Sequence, residues 1–151
     1  MRDSFVFDLV DKHRGRLLQL VEGCPVEKRN VVPAGFNNSV HWQIGHVLTV
    51  TERVIFGFAE QPTAVPASYM GFFGSGTKPA DWQEEPPAWD DLVAQLKDQA
   101  VRIRETFKDT LGSTVKENFF KAETVEELIV SSMLHEVNHG GVVASLLKVL
   151  K

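Results

Sequence analysis

Apolar residues recur with helical spacing in four stretches of the chain. From about Ser4 to Glu22, the positions Phe5, Leu9, Lys12/His13, Arg16/Leu17 and Leu20/Val21 recur three and four apart, and their apolar members form one stripe, which Gly23 and Pro25 end. The second stretch runs from about Val40 to Glu60 behind Asn38 or Ser39 as a cap, with Val40, Ile44, Val47, Thr51, Val54, Ile55 and Phe58 on its apolar face. Counted at about 100° per residue, His46 lies at the rim of that face, and His41 and Glu52 point further out. The third, about Ala88 to Leu111, keeps Leu92, Leu96, Ala100, Ile103 and Phe107 in step and stops at Gly112. The fourth, about Val125 to Leu150, opens on the capping box Thr124–Glu127. Its core face carries Leu128, Ser132, His135, His139, Val142 and Leu146. Residues 113–123 hold only short apolar runs and predict a turn or a brief strand.

Between the second and third stretches, residues 61–87 contain Pro62, Pro66, Pro79, Pro86 and Pro87 with Gly71, Gly74 and Gly76, which break any long helix. Tyr69, Phe72, Phe73 and Trp82 argue that this segment packs against the body as a crossover over one end of the core. The pattern predicts an all-α four-helix bundle, a single domain over residues 1–151. A helix of twenty residues is about 30 Å long, a span that a crossover of this length covers. Helices two and three are therefore expected to run parallel, giving up-down-down-up order.

Composition narrows the function. The hydrophobic fraction is 43%, the charged fraction 24% and the net charge −4, so the chain lacks the basic stripe that nucleic acid requires. No apolar run approaches the roughly 20 residues of a membrane helix, and the first residues do not read as a signal peptide. These features predict a soluble cytoplasmic protein with small-molecule or protein partners. Cys24, the lone cysteine, makes neither an internal disulfide nor a cysteine-rich zinc site.

The chemistry concentrates in Met133-Leu134-His135-Glu136-Val137-Asn138-His139-Gly140-Gly141. Histidines four apart on a helix lie about 40° from alignment, so two imidazoles leave the same face. Neutral imidazole suits zinc, nickel, copper or iron. The string matches His-Glu-x-x-His, but zincins draw their third ligand from downstream. Residues 140–151 offer no His, Asp, Glu or Cys, so any further ligand comes from upstream. His46 is one candidate. His13, beside the first apolar stripe, reads better as a hydrogen-bonded histidine at a helix edge. The glycines at 140 and 141 cost about 1 kcal/mol each in mid-helix and predict close approach of another backbone or a ligand there, or else a local kink.

Asn38-Ser39-Val40-His41-Trp42-Gln43-Ile44-Gly45-His46-Val47 resembles the second-helix motif of the DinB/YfiT-like superfamily, in which Trp-x-x-Gly-His presents a metal ligand. His135-x-x-x-His139 followed by Gly141 resembles that family's last-helix motif, and Phe73-Gly74-Ser75-Gly76 is similar as well. The resemblance covers nearly the whole chain. It implies a left-handed up-down-down-up bundle holding a divalent metal, zinc or nickel, on His46, His135 and His139. It also implies a homodimer. Val142 and Asn138 depart from the Gln and second His of many relatives.

Relatives of this kind include thiol S-transferases that use bacillithiol, mycothiol or glutathione, and one branch isomerises maleylpyruvate. The implied activity is a metal-dependent thiol S-transferase whose partners are a low-molecular-weight thiol and an electrophile, with the Tyr69–Trp82 loop as the substrate-side wall. One alternative is a non-catalytic metal-binding or dimerisation bundle used in stress response. Another is a metal-dependent hydrolase with Glu136 as base, although Glu136 leaves the helix about 100° from His135.

Overall fold

The computed structural model describes residues 1–151. It contains five α-helices and no strand beyond an isolated bridge between Thr114 and Thr124. Helix α1 spans Asp3–Glu22 and α2 spans Val40–Thr51. The latter continues as a π-helical segment over Glu52–Gly57. Short α3 is Tyr69–Phe73, α4 is Trp89–Phe107 and α5 is Val125–Val149. Two caps act where the sequence placed them. Ser39 Oγ accepts from the Trp42 amide at 3.1 Å, and Thr124 Oγ1 accepts from the Glu127 amide at 3.3 Å.

Helix α1 packs on α5 and α4, and α2 packs on the same two helices from the opposite corner. The core falls into two apolar clusters. One joins the C-terminal half of α1 (Leu17, Val21), α2 (Ile44, Val47, Leu48), the start of α4 (Leu92, Leu96) and the end of α5 (Val143, Leu146). The other joins the start of α1 (Val6, Val10), the π segment (Val54, Ile55), the end of α4 (Ile103, Phe107) and the start of α5 (Leu128, Ile129). Hence α1 and α5 run one way through the bundle and α2 and α4 the other.

Two expectations need correction. The second helix has no outward face: His41, His46 and Glu52 are all buried, as is every residue of α2 except Val50. His46 meets His135 and His139 of α5 and Glu52 meets Gln99 and Arg102 of α4, whereas His41 is covered by the crossover, which folds α3 onto the side of α2 that a plain four-helix bundle would leave to solvent. Close contact there requires Gly45, where a Cβ would lie 2.4 Å from the Phe73 ring. At Gly140 and Gly141, by contrast, a Cβ would meet nothing within 4 Å, so close approach of another backbone is not what places the glycines there.

Between the clusters lies a polar layer contributed by four helical segments. Arg14 of α1, 1% exposed, donates from Nη2 to Glu136 Oε1 of α5 at 2.7 Å. It also donates to the Leu96 carbonyl at 2.7 Å and to Gln99 Oε1 at 3.0 Å, both on α4. Gln99 Nε2 continues to the Leu48 carbonyl of α2 at 3.0 Å and to Glu52 Oε1 at 2.9 Å. Arg102 Nη2 completes the chain by donating to Glu52 Oε1 at 2.7 Å, and the Ala64 amide donates to Glu52 Oε2 at 2.8 Å. Every charge in the layer is paired, which is the condition for burying charge without a large penalty.

Candidate metal centre

His46 leaves α2 toward α5, where His135 and His139 stand one turn apart. Ring centroids are 5.1 Å apart for His46 and His135, 4.5 Å for His46 and His139, and 4.4 Å for His135 and His139. One nitrogen from each ring lies within 4.8 Å of the other two. The three histidines singled out in the sequence thus converge on one point between the helices.

Two of the rings are fixed through their far nitrogens. The Nδ1–H of His46 donates to the Phe73 carbonyl at 2.6 Å, which leaves Nε2 as a lone-pair donor when the ring is neutral. His139 Nδ1 bonds Gln43 Oε1 at 2.7 Å, with the same consequence. Trp42 stacks on His46 at 4.5 Å and 13° between planes, holding the ring from the side. Outer partners of this kind orient metal-binding imidazoles and set their tautomer. His135 lacks one: its Nδ1 is buried without a partner, while its Nε2 faces His46 Nε2 at 3.2 Å.

Electrostatics keep the rings neutral at pH 7. Burial pushes His46 below its ordinary value, and the Phe73 carbonyl opposes it only in part. His135 is lowered by burial and then by His46, against the pull of Glu136. His139 is pushed down to about 3 by burial, with His46 and His135 adding to it. Protons therefore do not compete for these lone pairs near neutrality.

The donor set fits a divalent ion. Two imidazole nitrogens at about 2.0–2.1 Å from one tetrahedral zinc stand about 3.3 Å apart, close to the 3.2 Å between His46 and His135. At that separation the two Nε2 atoms either share one proton or ligate one ion. The group is compatible with a bound metal, whose identity the histidines alone do not select.

The other candidates lie elsewhere. His13 is half-buried on α1 and lines a cavity of about 220 Å³ between α1 and α5, which Glu136, Gly140 and Gly141 also border. His41 packs among Phe73, Trp82 and Trp89, bonded to the Pro87 carbonyl at 2.8 Å. Glu136 turns away from the histidines toward Arg14. The Tyr69–Trp82 loop meets His46 at Nδ1 rather than at the Nε2 that faces α5, so it supports the ring from behind. Gln43 and the Phe73 carbonyl escaped the sequence reading. The three-residue spacing of Gln43 and His46 was a usable signal for the first, but a backbone carbonyl from a remote loop leaves none.

The class is that of helical bundles with converging histidines, compatible with a divalent metal, on the second and last long helices. The sequence profile of the DinB superfamily matches residues 9–143, and the chain belongs to that superfamily. A solved structure of a conserved protein from Enterococcus faecalis has the same fold, at TM-score 0.69 and 15% identity over 97% of this chain and 95% of that one. No curated protein matches the sequence.

Proposed function

We propose that His46, His135 and His139 hold one divalent metal, zinc or nickel, and that the protein is a metal-dependent thiol S-transferase. The observation that carries the reading is the convergence of three neutral imidazoles, two of them fixed through Nδ1 with Nε2 left free. Bound there, an ion would keep its full charge and act as a Lewis acid that favours the anionic form of a thiol. The chain's own residues orient and insulate. Phe73 and Gln43 set the tautomers, and Trp42 covers one face of His46. His135 and His139 are half-buried, so the cluster is not sealed from solvent.

Cys24 is buried and its thiol is raised by burial, with Arg29 opposing, so it is a poor nucleophile at pH 7. The reactive thiol is therefore an external one, such as bacillithiol, mycothiol or glutathione. The hydrolase alternative needs a free base beside the ion, and both Glu136 oxygens accept from Arg14. The same reading places the protein in the cytoplasm as a homodimer. No helix is long and apolar enough to cross a membrane.

The test has two stages. Metal content is measured for the purified protein and for His46→Ala, His135→Ala and His139→Ala. Full occupancy in the His135→Ala protein refutes the ligand set. The metal-loaded protein is then assayed for conjugation of each of the three thiols to monochlorobimane. If metal stays bound and all three thiols fail, the transferase reading gives way to a non-catalytic metal-binding bundle.

A further inference from the structure

The polar layer ends beside the histidines at both extremities. Glu136 adjoins His135 on α5, and the Leu48 carbonyl lies two residues beyond His46 on α2. Between them, Arg14 and Gln99 make one unbroken path through α1 and α4. We propose that Arg14, Gln99 and Glu136 are positioning residues: a strut that sets the register of α5 against α2 and so holds His135 against His46. Its consequence for metal affinity rests on the metal site proposed above.

Apolar packing alone fixes this register poorly. Contacts between apolar side chains are nearly non-directional, and a unique arrangement depends on close complementarity that weakens where packing is thin. On α5 the segment beside the histidines is also thinly keyed. Gly140 and Gly141 offer no side chain, and the cavity of about 220 Å³ lies between them and α1. The strut supplies what packing lacks. Arg14 presents a planar fork to three acceptors on two helices, each at 2.7–3.0 Å. One residue of slippage of α5 is about 1.5 Å, which would misalign the Glu136 bonds to Arg14 and shift His135 relative to His46. Buried polar groups that specify register are the best-attested use of such networks.

The test uses Gln99→Met, which cuts the path while leaving the Arg14–Glu136 and Arg102–Glu52 ion pairs in place. Arg14→Lys is the second variant, retaining the charge opposite Glu136 but not the fork. The control is Phe107→Leu, a loosening of the apolar cluster distant from the histidines. Zinc affinity by chelator competition and the visible spectrum of the cobalt-substituted protein are measured alongside melting temperature. Histidine ring NMR spectra of the metal-free proteins report the His46–His135 contact independently of any ion.

Gln99→Met and Arg14→Lys should each bind zinc at least tenfold more weakly, within the range known for outer-shell losses. Each should also alter the cobalt spectrum and shift the His135 ring signals, whereas Phe107→Leu lowers melting temperature without these changes. If Gln99→Met and Arg14→Lys match the wild type in ring signals and in zinc affinity within twofold, the strut is refuted. A wild type that binds no zinc refutes the metal reading instead, and the ring spectra still decide the strut.

Discussion

Adding one methyl group at Gly45 should have the opposite effect from adding it at Gly140 or Gly141, and the difference can be worked from the structure. A helix gains about 0.8–1.0 kcal/mol when an interior glycine becomes alanine without other consequence. At Gly140 and Gly141 the new Cβ meets nothing within 4 Å, so each substitution should stabilise by about that amount. At Gly45 the Cβ would fall 2.4 Å from Cδ1 and Cε1 and 2.6 Å from Cγ of Phe73. Phe73 is fully buried with Tyr69, Phe72, Trp82 and His41 around it, so the ring has no vacant direction. Overpacking of this kind costs about 1–3 kcal/mol, occasionally more. Less the propensity gain, Gly45→Ala should be destabilised by up to about 2 kcal/mol. For a domain of this size, that lowers the melting temperature by several degrees, at about 2–4 °C per kcal/mol. Urea unfolding of the three single variants reads these differences directly. The Gly45 variant should also weaken metal binding, since displacing Phe73 moves the carbonyl that accepts from His46 Nδ1. A Gly45→Ala protein stabilised as much as Gly140→Ala, or destabilisation by Gly140→Ala, would overturn the reasoning.

Other outcomes follow from the buried charges and the histidine supports. Glu52 is raised by burial but lowered further by the hydrogen bonds from Arg102, Ala64 and Gln99 and by the Arg102 charge, so its folded value lies below the ordinary 4.5. A depressed carboxyl stabilises the fold above the unfolded value, and that contribution is lost as pH falls from 4.5 through the folded value. Glu52→Gln should therefore flatten the fall of urea-unfolding stability below pH 4.5, and an unchanged slope would contradict the assignment. Arg14→Met leaves the Glu136 carboxylate buried without its partner and should destabilise by about 3–5 kcal/mol, measured by chemical unfolding. Gln43→Leu removes the acceptor on His139 Nδ1 and should weaken zinc binding by roughly 10–100-fold with little change in helicity by circular dichroism. Glu136→Gln should leave any thiol-transfer activity within an order of magnitude if the metal stays bound, because Glu136 is occupied by Arg14.

The four long helices were legible because each obeys a local rule. Thr124 with Glu127 begins α5, and the three-four spacing of Leu92, Leu96, Ile103 and Phe107 carries α4. The histidines were legible for the same reason: four-residue spacing on α5 is a local fact. Convergence with His46 is not local, and there the family resemblance of the Trp42–His46 motif supplied what spacing could not. The π-helical turn at Glu52–Gly57 gave no sequence signal of its own, since its residues continue the apolar pattern of α2.

The polar layer was illegible for a different reason. Arg14 and Glu136 each look like ordinary exposed residues of an amphipathic helix, and neither breaks a pattern by itself. They are buried because each is the other's solvent substitute, across 122 residues of sequence. The helical wheel of α2 misled in the same way. It assigns one face to the core and the other to water, yet α2 touches α4 and α5 on one side and α3 on the other. Once α3 covers the outer side, His41 must find a partner there, and it does so in the Pro87 carbonyl, whereas Glu52 faces α4 and is met by Gln99 and Arg102. The same covering brings the Phe73 carbonyl to His46. The crossover that hides the outer side of α2 from a wheel is therefore also what orients the first histidine, which makes the long irregular segment part of the candidate metal site although it contributes none of the three imidazoles.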